Sequence, residues 1–138
     1  EKLNFTTAAR VPLLNFVLHN VFWIPLVLIG FDPFMIFTVE SIGFLFAFYQ
    51  HTQVIGKMRM VDWILNTPSH HRVHHASNPA YRNKNYGNVL IIFDRLFGTF
   101  KAEDEKIKPV YGLEENLGTY NLLVVVFHEW AALWHKKD

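Results

Sequence analysis

The chain has 138 residues, 51% of them hydrophobic and thirteen of them Phe, a length that holds one domain and a composition richer in apolar side chains than a soluble domain needs. A formal net charge of +1 supplies no field for nucleic acid, which is therefore not an expected partner. With no cysteine, disulfides, thiolate-bound zinc and thiol catalysis are excluded, so any metal chemistry must rest on His and carboxylates.

Residues 11–31 carry no charged side chain. A helix over them, rising about 1.5 Å per residue, would cross a hydrocarbon core of about 30 Å. Pro12 suits its first turn, Pro25 is tolerable inside a membrane helix, and His19 is expected to be neutral and hydrogen-bonded. Gly30-Phe31-Asp32-Pro33 predicts a tight turn, and a second apolar run follows from Phe34 to Tyr49, broken only by Glu40. A carboxylate at mid-depth costs about 2.5–3.5 kcal/mol on insertion scales, so Glu40 should face another helix, a lumen or a partner, or be protonated. The two runs predict a transmembrane hairpin over 11–50, with a pair of buried core helices as the alternative. Lys2 and Arg10 precede it, Lys57 and Arg59 follow it, and the turn carries only Asp32. The positive-inside rule then puts both ends on the cytoplasmic side.

His51 stands where the second run ends. Beyond it, Thr67 and Pro68 read as an N-cap and first helical position, and His70-His71-Arg72-Val73-His74-His75 follows. Four imidazoles in six positions point to transition-metal binding; a solvated His-rich turn or an adventitious site is the bland reading. On a helix His74 and His75 share the face of His71 at i+3 and i+4. They diverge from each other by about 100°, which suits two neighbouring ions better than one. His51, near the same surface, joins them as a candidate ligand, while His70 is expected to support a ligand from behind or to face solvent. Pro79 should end this helix near Asn78. Asn85, Tyr86 and Gly87 read as turn chemistry.

Val89 to Phe100 is too short to span and is expected at the interface or over the metal site. It holds Asp94, a candidate for orienting an imidazole N–H or for a surface pair with Arg95. Lys101 to Asn116 reads as a charged loop, with Glu103, Asp104 and Glu105 on solvated surface. Tyr120 to His135, with Trp130, Trp134 and then Lys136-Lys137, predicts an interfacial helix or a docking helix. His128 and His135 are expected to be structural or interfacial. The fold class expected is all-α: a membrane helical hairpin carrying a cytoplasmic His-rich helical cap over 51–138.

Five blocks in this order, Leu3 to Arg10, Tyr49-Gln50-His51-Thr52, His71-Arg72-Val73-His74-His75, Asn85-Tyr86-Gly87 and Asp94-Arg95-Leu96-Phe97-Gly98-Thr99-Phe100, carry a resemblance over nearly the whole chain. The chain resembles the C-terminal half of the fatty acid hydroxylase/sterol desaturase superfamily of membrane di-iron oxygenases, and within it the branch with sterol desaturase-like and alkylglycerol monooxygenase-like proteins. The resemblance implies metal ligands at His51, His71, His74 and His75, with Asn85 near the site and no catalytic residue beyond the ligands. It implies two iron ions, zinc being a possible substitute, acting on a C–H bond of a sterol, fatty acyl or ether lipid by hydroxylation or desaturation. Electrons would come from outside, from a cytochrome b5-type donor or tetrahydrobiopterin. The location implied is the endoplasmic reticulum in a eukaryote or the inner membrane in a bacterium.

Asn88 and Phe93 stand where the family has Gly and Trp. Two further histidine boxes are expected ahead of Glu1. Two irons want roughly four or more nitrogen ligands each, so the four candidates imply a missing N-terminal half or a partner chain. Two rival readings are a non-enzymatic membrane component or degenerate relative, with the four imidazoles closed around zinc, and a soluble helical metal-binding domain.

Overall fold

The computed structural model describes residues 3–5, 18–112, 118–119 and 121–135. These are helical segments joined by irregular chain, and the β pairing among them is a single isolated antiparallel bridge, Leu65 to Leu90. In order they are α1 (Ile24–Leu28), α2 (Pro33–Gln50), a 3-10 turn at Val61–Trp63, α3 (Pro68–His74), α4 (Ile92–Phe97) and α5 (Leu122–His135).

The first apolar run departs from the single helix its sequence predicts. Residues 11–17, with Pro12, lie outside the described residues, as do Lys2 and Arg10. From 18 onward a helical stretch stops at a turn over residues 22–23, and α1 starts afresh. Pro25 is the reason: it has no N–H for the preceding turn and its ring clashes with a carbonyl four residues back, so it is accommodated only in a new first turn.

The start of α2 follows local rules. Asp32 Oδ1 accepts from the Phe34 and Met35 amides at 2.8 and 3.1 Å, and Pro33 takes the first helical position. The 18 residues of α2 extend about 27 Å, and this helix is long and apolar enough to cross a membrane. It buries Ile36 and Gln50 and exposes most of its Phe, Val, Ile and Leu side chains, so within this chain it is not a core helix. Glu40 turns toward the first run. It accepts from Trp23 Nε1 at 2.6 Å and pairs with His19 Nε2, so the carboxyl of the second apolar segment meets the imidazole of the first.

The end of α2 is stapled to the residues after it. Gln50 is fully buried and donates to the Asn66 and Asn88 carbonyls at 2.6 and 2.9 Å. The Asn88 amide lies 3.5 Å from where a Cβ on Gly43 would stand, so this loop runs back along α2.

Thr67 is extended and precedes Pro68 as the spacing predicts, but its hydroxyl donates to Asp62 Oδ1 at 2.7 Å rather than capping α3. α3 ends at His74, short of the expected Asn78. Tertiary pairing takes over there: the Ser77 amide donates to the Val110 carbonyl at 2.8 Å, and the Asn78 side chain brackets Lys108 and Val110. Val73, Ala76 and Tyr81 form a small apolar core beneath.

α4 closes on Gly98 in the left-handed conformation at φ 75°. Its amphipathy is inverted, with Asp94 buried and Ile92, Phe93, Leu96 and Phe97 exposed. α5 covers most of the last apolar run. The side chains of Trp130, Trp134 and His135, and residues 136–138, lie outside the described residues.

Candidate metal centre

His51 is the first residue beyond α2. Its Nδ1 lies 2.7 Å from the Ala47 carbonyl. A carbonyl can only accept, so Nδ1 carries the proton and Nε2 keeps its lone pair. α3 brings two more imidazoles to that lone pair. His71 Nε2 is 3.2 Å from His51 Nε2, and His75 Nε2 is 3.1 Å from His71 Nε2. One ligand atom from each of the three lies within 4.8 Å of the others.

Nitrogens held at about 2.0–2.1 Å by one transition-metal ion stand about 3.0–3.4 Å apart. The spacing around His71 therefore fits one ion. A proton can bridge only one pair of these nitrogens, whereas a cation between them satisfies all three lone pairs. Burial, then the neighbouring imidazoles His75, His51 and His74, pushes His71 down to about 2. Burial, then His74 and His51, pushes His75 down to about 4. Both rings are thus neutral, and able to ligate, at physiological pH.

His74 is exposed and lies outside that triad. Its ring centroid is 5.7 Å from that of His71 and 5.3 Å from that of His75. Its Nδ1 donates to the Lys84 carbonyl at 3.2 Å, which leaves the acceptor lone pair on Nε2.

His70 does not join the other imidazoles. It is buried edge-on against Phe100 at 5.3 Å, and burial lowers its pKa. Asn85 is buried at φ 55°, a conformation Asn tolerates. It donates to the His70 and Lys101 carbonyls at 3.1 and 2.7 Å and accepts from the Lys101 amide at 2.8 Å. Asp94 accepts from the Tyr86 and Gly87 amides at 2.8 and 2.7 Å and from the Thr99 hydroxyl at 2.6 Å. Burial raises its pKa, but those hydrogen bonds outweigh burial and hold the carboxyl below its ordinary range.

Asp94 therefore serves two backbone amides and the Thr99 hydroxyl, and the ring N–H groups of His51 and His74 go to carbonyls. A Cβ on Gly87 would run into the Leu90 carbonyl oxygen and the Asp94 carboxylate, so only glycine fits. The Asn85–Gly87 loop is scaffolding: it positions the Lys84 carbonyl against His74 and the Tyr86 ring edge-on to it at 5.9 Å.

Sequence reasoning missed two residues here. Glu103, expected on solvated surface, is part-buried and accepts from Arg72 Nε and Nη2 at 3.0 and 2.6 Å and from the Ser69 hydroxyl at 2.7 Å. Burial raises its pKa, and the Arg72 and Ser69 hydrogen bonds reverse that shift. Arg72 is buried, and its Nη1 donates to the Thr52 and Ile55 carbonyls at 3.0 and 2.8 Å. The available signal was Ser69 and Arg72 at i, i+3 on the face that also carries Val73. A buried arginine there demands a carboxylate.

The sequence pattern of the family described as fatty acid hydroxylase matches residues 1–99. Human (Homo sapiens) alkylglycerol monooxygenase is 42% identical over 135 residues, which is 97% of this chain and 29% of that protein. The alkylglycerol monooxygenase of Danio rerio is 39% identical over 137 residues, 99% of this chain and 30% of that protein. Ornithine lipid hydroxylase OlsE of Rhizobium tropici is 35% identical over 77 residues, 56% of this chain and 23% of that protein. The chain thus spans about three-tenths of the length of the alkylglycerol monooxygenases. No solved structure matches it.

Proposed function

Since the chain belongs to the fatty acid hydroxylase family, we propose that it forms the C-terminal part of a membrane-bound, iron-dependent lipid oxygenase. The observation that carries this reading is the convergence of His51, His71 and His75, with the Nε2 atoms of His51 and His75 at 3.2 and 3.1 Å from that of His71 and one ligand atom of each within 4.8 Å of the others. These three hold one iron ion, and His74 serves a second. Further nitrogen ligands come from sequence upstream or from a partner chain. Iron bound there supplies the activation of dioxygen for oxidising an unactivated C–H bond.

The chain's own residues do the positioning. The Ala47 and Lys84 carbonyls fix the tautomers of His51 and His74. The low basicity of His71 and His75 keeps them unprotonated. The exclusion of His74 from the triad weighs against a closed four-ligand zinc site.

α2 spans the membrane, paired with the first apolar run through Glu40, His19 and Trp23. Lys57 and Arg59 follow it, which puts the imidazoles on the cytoplasmic side. The substrate class is a lipid, with an alkylglycerol ether favoured by the relatives that cover nearly the whole chain. The reductant is external, tetrahydrobiopterin or a cytochrome b5-type donor.

A chimera tests this. The matching stretch of human alkylglycerol monooxygenase is replaced by residues 1–138, and membranes are assayed for iron and for pterin-dependent alkylglycerol oxidation. Both should be retained, and both lost on His71→Ala. An inserted chimera without iron overturns the metal reading. One with iron but no alkylglycerol turnover overturns the substrate.

A further inference from the structure

We propose that Arg72 is a positioning residue for the metal centre. Clamped by Glu103, its guanidinium sets the spacing between the imidazole of His51 and those of His71 and His75. The inference rests on reading those three as the residues that hold metal.

The triad is assembled from two segments that no regular structure joins. His71 and His75 belong to α3 and its last turn, whereas His51 opens an irregular stretch that runs to residue 58. The Ala47 carbonyl orients the His51 ring but does not relate it to α3. Gln50 ties the end of α2 to the Asn66 carbonyl ahead of α3 and to the Asn88 carbonyl beyond it, neither of them in α3 itself. Arg72 makes the direct tie. It directly follows His71, and its Nη1 holds the carbonyl of Thr52, which directly follows His51, and that of Ile55, at 3.0 and 2.8 Å.

The other edge of the guanidinium is fixed as firmly. Nε and Nη2 meet the two Glu103 oxygens at 3.0 and 2.6 Å, and Ser69, one turn earlier on α3, holds Oε2 at 2.7 Å. Arg72 is only 7% exposed, so water does not compete for these bonds. A planar fork bonded on both edges constrains angle as well as distance. Lysine, a point charge with three rotatable donors, keeps the charge and loses that constraint.

The test uses the full chain in lipid vesicles with Co2+ as the spectroscopic probe, its visible absorption reporting coordination geometry. Arg72→Lys is expected to keep its helix content, to bind Co2+ about 10–100-fold more weakly, as for loss of an outer partner of a metal ligand, and to show an altered band. Glu103→Gln should shift both readouts in the same direction by less. Tyr81→Phe is the control for stability alone. The Tyr81 hydroxyl donates to Ile107 at 2.7 Å and accepts from Asp104 at 2.9 Å, so it steadies the loop that carries Glu103 without reaching Thr52. That variant should melt lower and keep the wild-type Co2+ spectrum.

Unchanged affinity and spectrum in Arg72→Lys overturn the proposal, as does an equal change in Tyr81→Phe. If Arg72→Lys does not fold, Glu103→Gln decides by the same criteria. Failure of the wild-type chain to bind Co2+ overturns the metal reading as well, and is distinguishable because it appears before any substitution is made.

Discussion

Along α2, Phe34, Phe37, Val39, Ile42, Phe44 and Leu45 are each more than half exposed, while Ile36 and Gln50 are buried. Between Asn66 and Asp94 many side chains are buried, and most of them are polar. There Asn66, Thr67, Ser69, His70, Arg72, Asn85 and Asp94 are buried, and Leu96 and Phe97 just beyond stand outside. A long helix satisfies its own backbone, so its side chains are free to meet hydrocarbon. The region after it consists of short helices and loops that leave many amides and carbonyls without partners in their own segment. Buried polar side chains supply those partners: Gln50, Asn66, Arg72, Asn85 and Asp94 all bond to backbone. The stability of α2 thus depends on its surroundings, and that of the histidine-bearing region on hydrogen-bond geometry.

The contrast can be broken from either side. Ile42→Arg places a charge at the middle of α2 and should weaken membrane insertion by about 2.5–3.5 kcal/mol. Carbonate extraction should show it, with Co2+ binding unaffected in the molecules that do insert. Gly87→Ala adds a Cβ against the Leu90 carbonyl and the Asp94 carboxylate. It should destabilise the region after α2 by about 1–3 kcal/mol, read as lost amide-exchange protection over residues 66–100 with α2 still protected.

Asp94→Asn replaces an oxygen that accepts an amide proton by a donor, and should cost about 1–3 kcal/mol. The Tyr86 and Gly87 amides should exchange first. Acid sharpens the same point. Asp94 and Glu103 are both held below the ordinary carboxylate range, so their stabilisation is complete above about pH 4–4.5 and is lost as pH falls through their lower folded values. Acid denaturation of the wild type should therefore set in below about pH 4, and Asp94→Asn should flatten that descent. No flattening would show that Asp94 does not carry it. Phe97→Ser is the smallest change. The residue is 75% exposed, so stability should stay within about 0.5 kcal/mol, measured by chemical denaturation.

Much of the helical layout was legible because its signals are local. Asp32-Pro33 marks the start of α2, Thr67-Pro68 marks that of α3, and the run before Lys136 is a helix. The break ahead of α1 was written in Pro25, yet a membrane helix tolerates proline, so the rule pointed both ways. The early end of α3 was not legible, because its cause is the pairing of Ser77 and Asn78 with residues 108–110. Glu103 looked like one carboxylate in a charged run, and only its burial against Arg72 sets it apart. The identity of the candidate imidazoles came from composition and helical spacing. That His51 meets His71 and His75 while His74 turns toward Lys84 did not.

By itself the sequence determined which segments are helical, which helix is apolar enough for a bilayer, and the family, since caps, prolines and motif spacing act over a few residues. Tertiary structure alone decided which imidazoles share a point and what holds them there. The Nε2 atoms of His51 and His71 stand 3.2 Å apart where Arg72 and Gln50 bond to carbonyls distant in sequence, and contacts of that kind leave no periodicity in the chain.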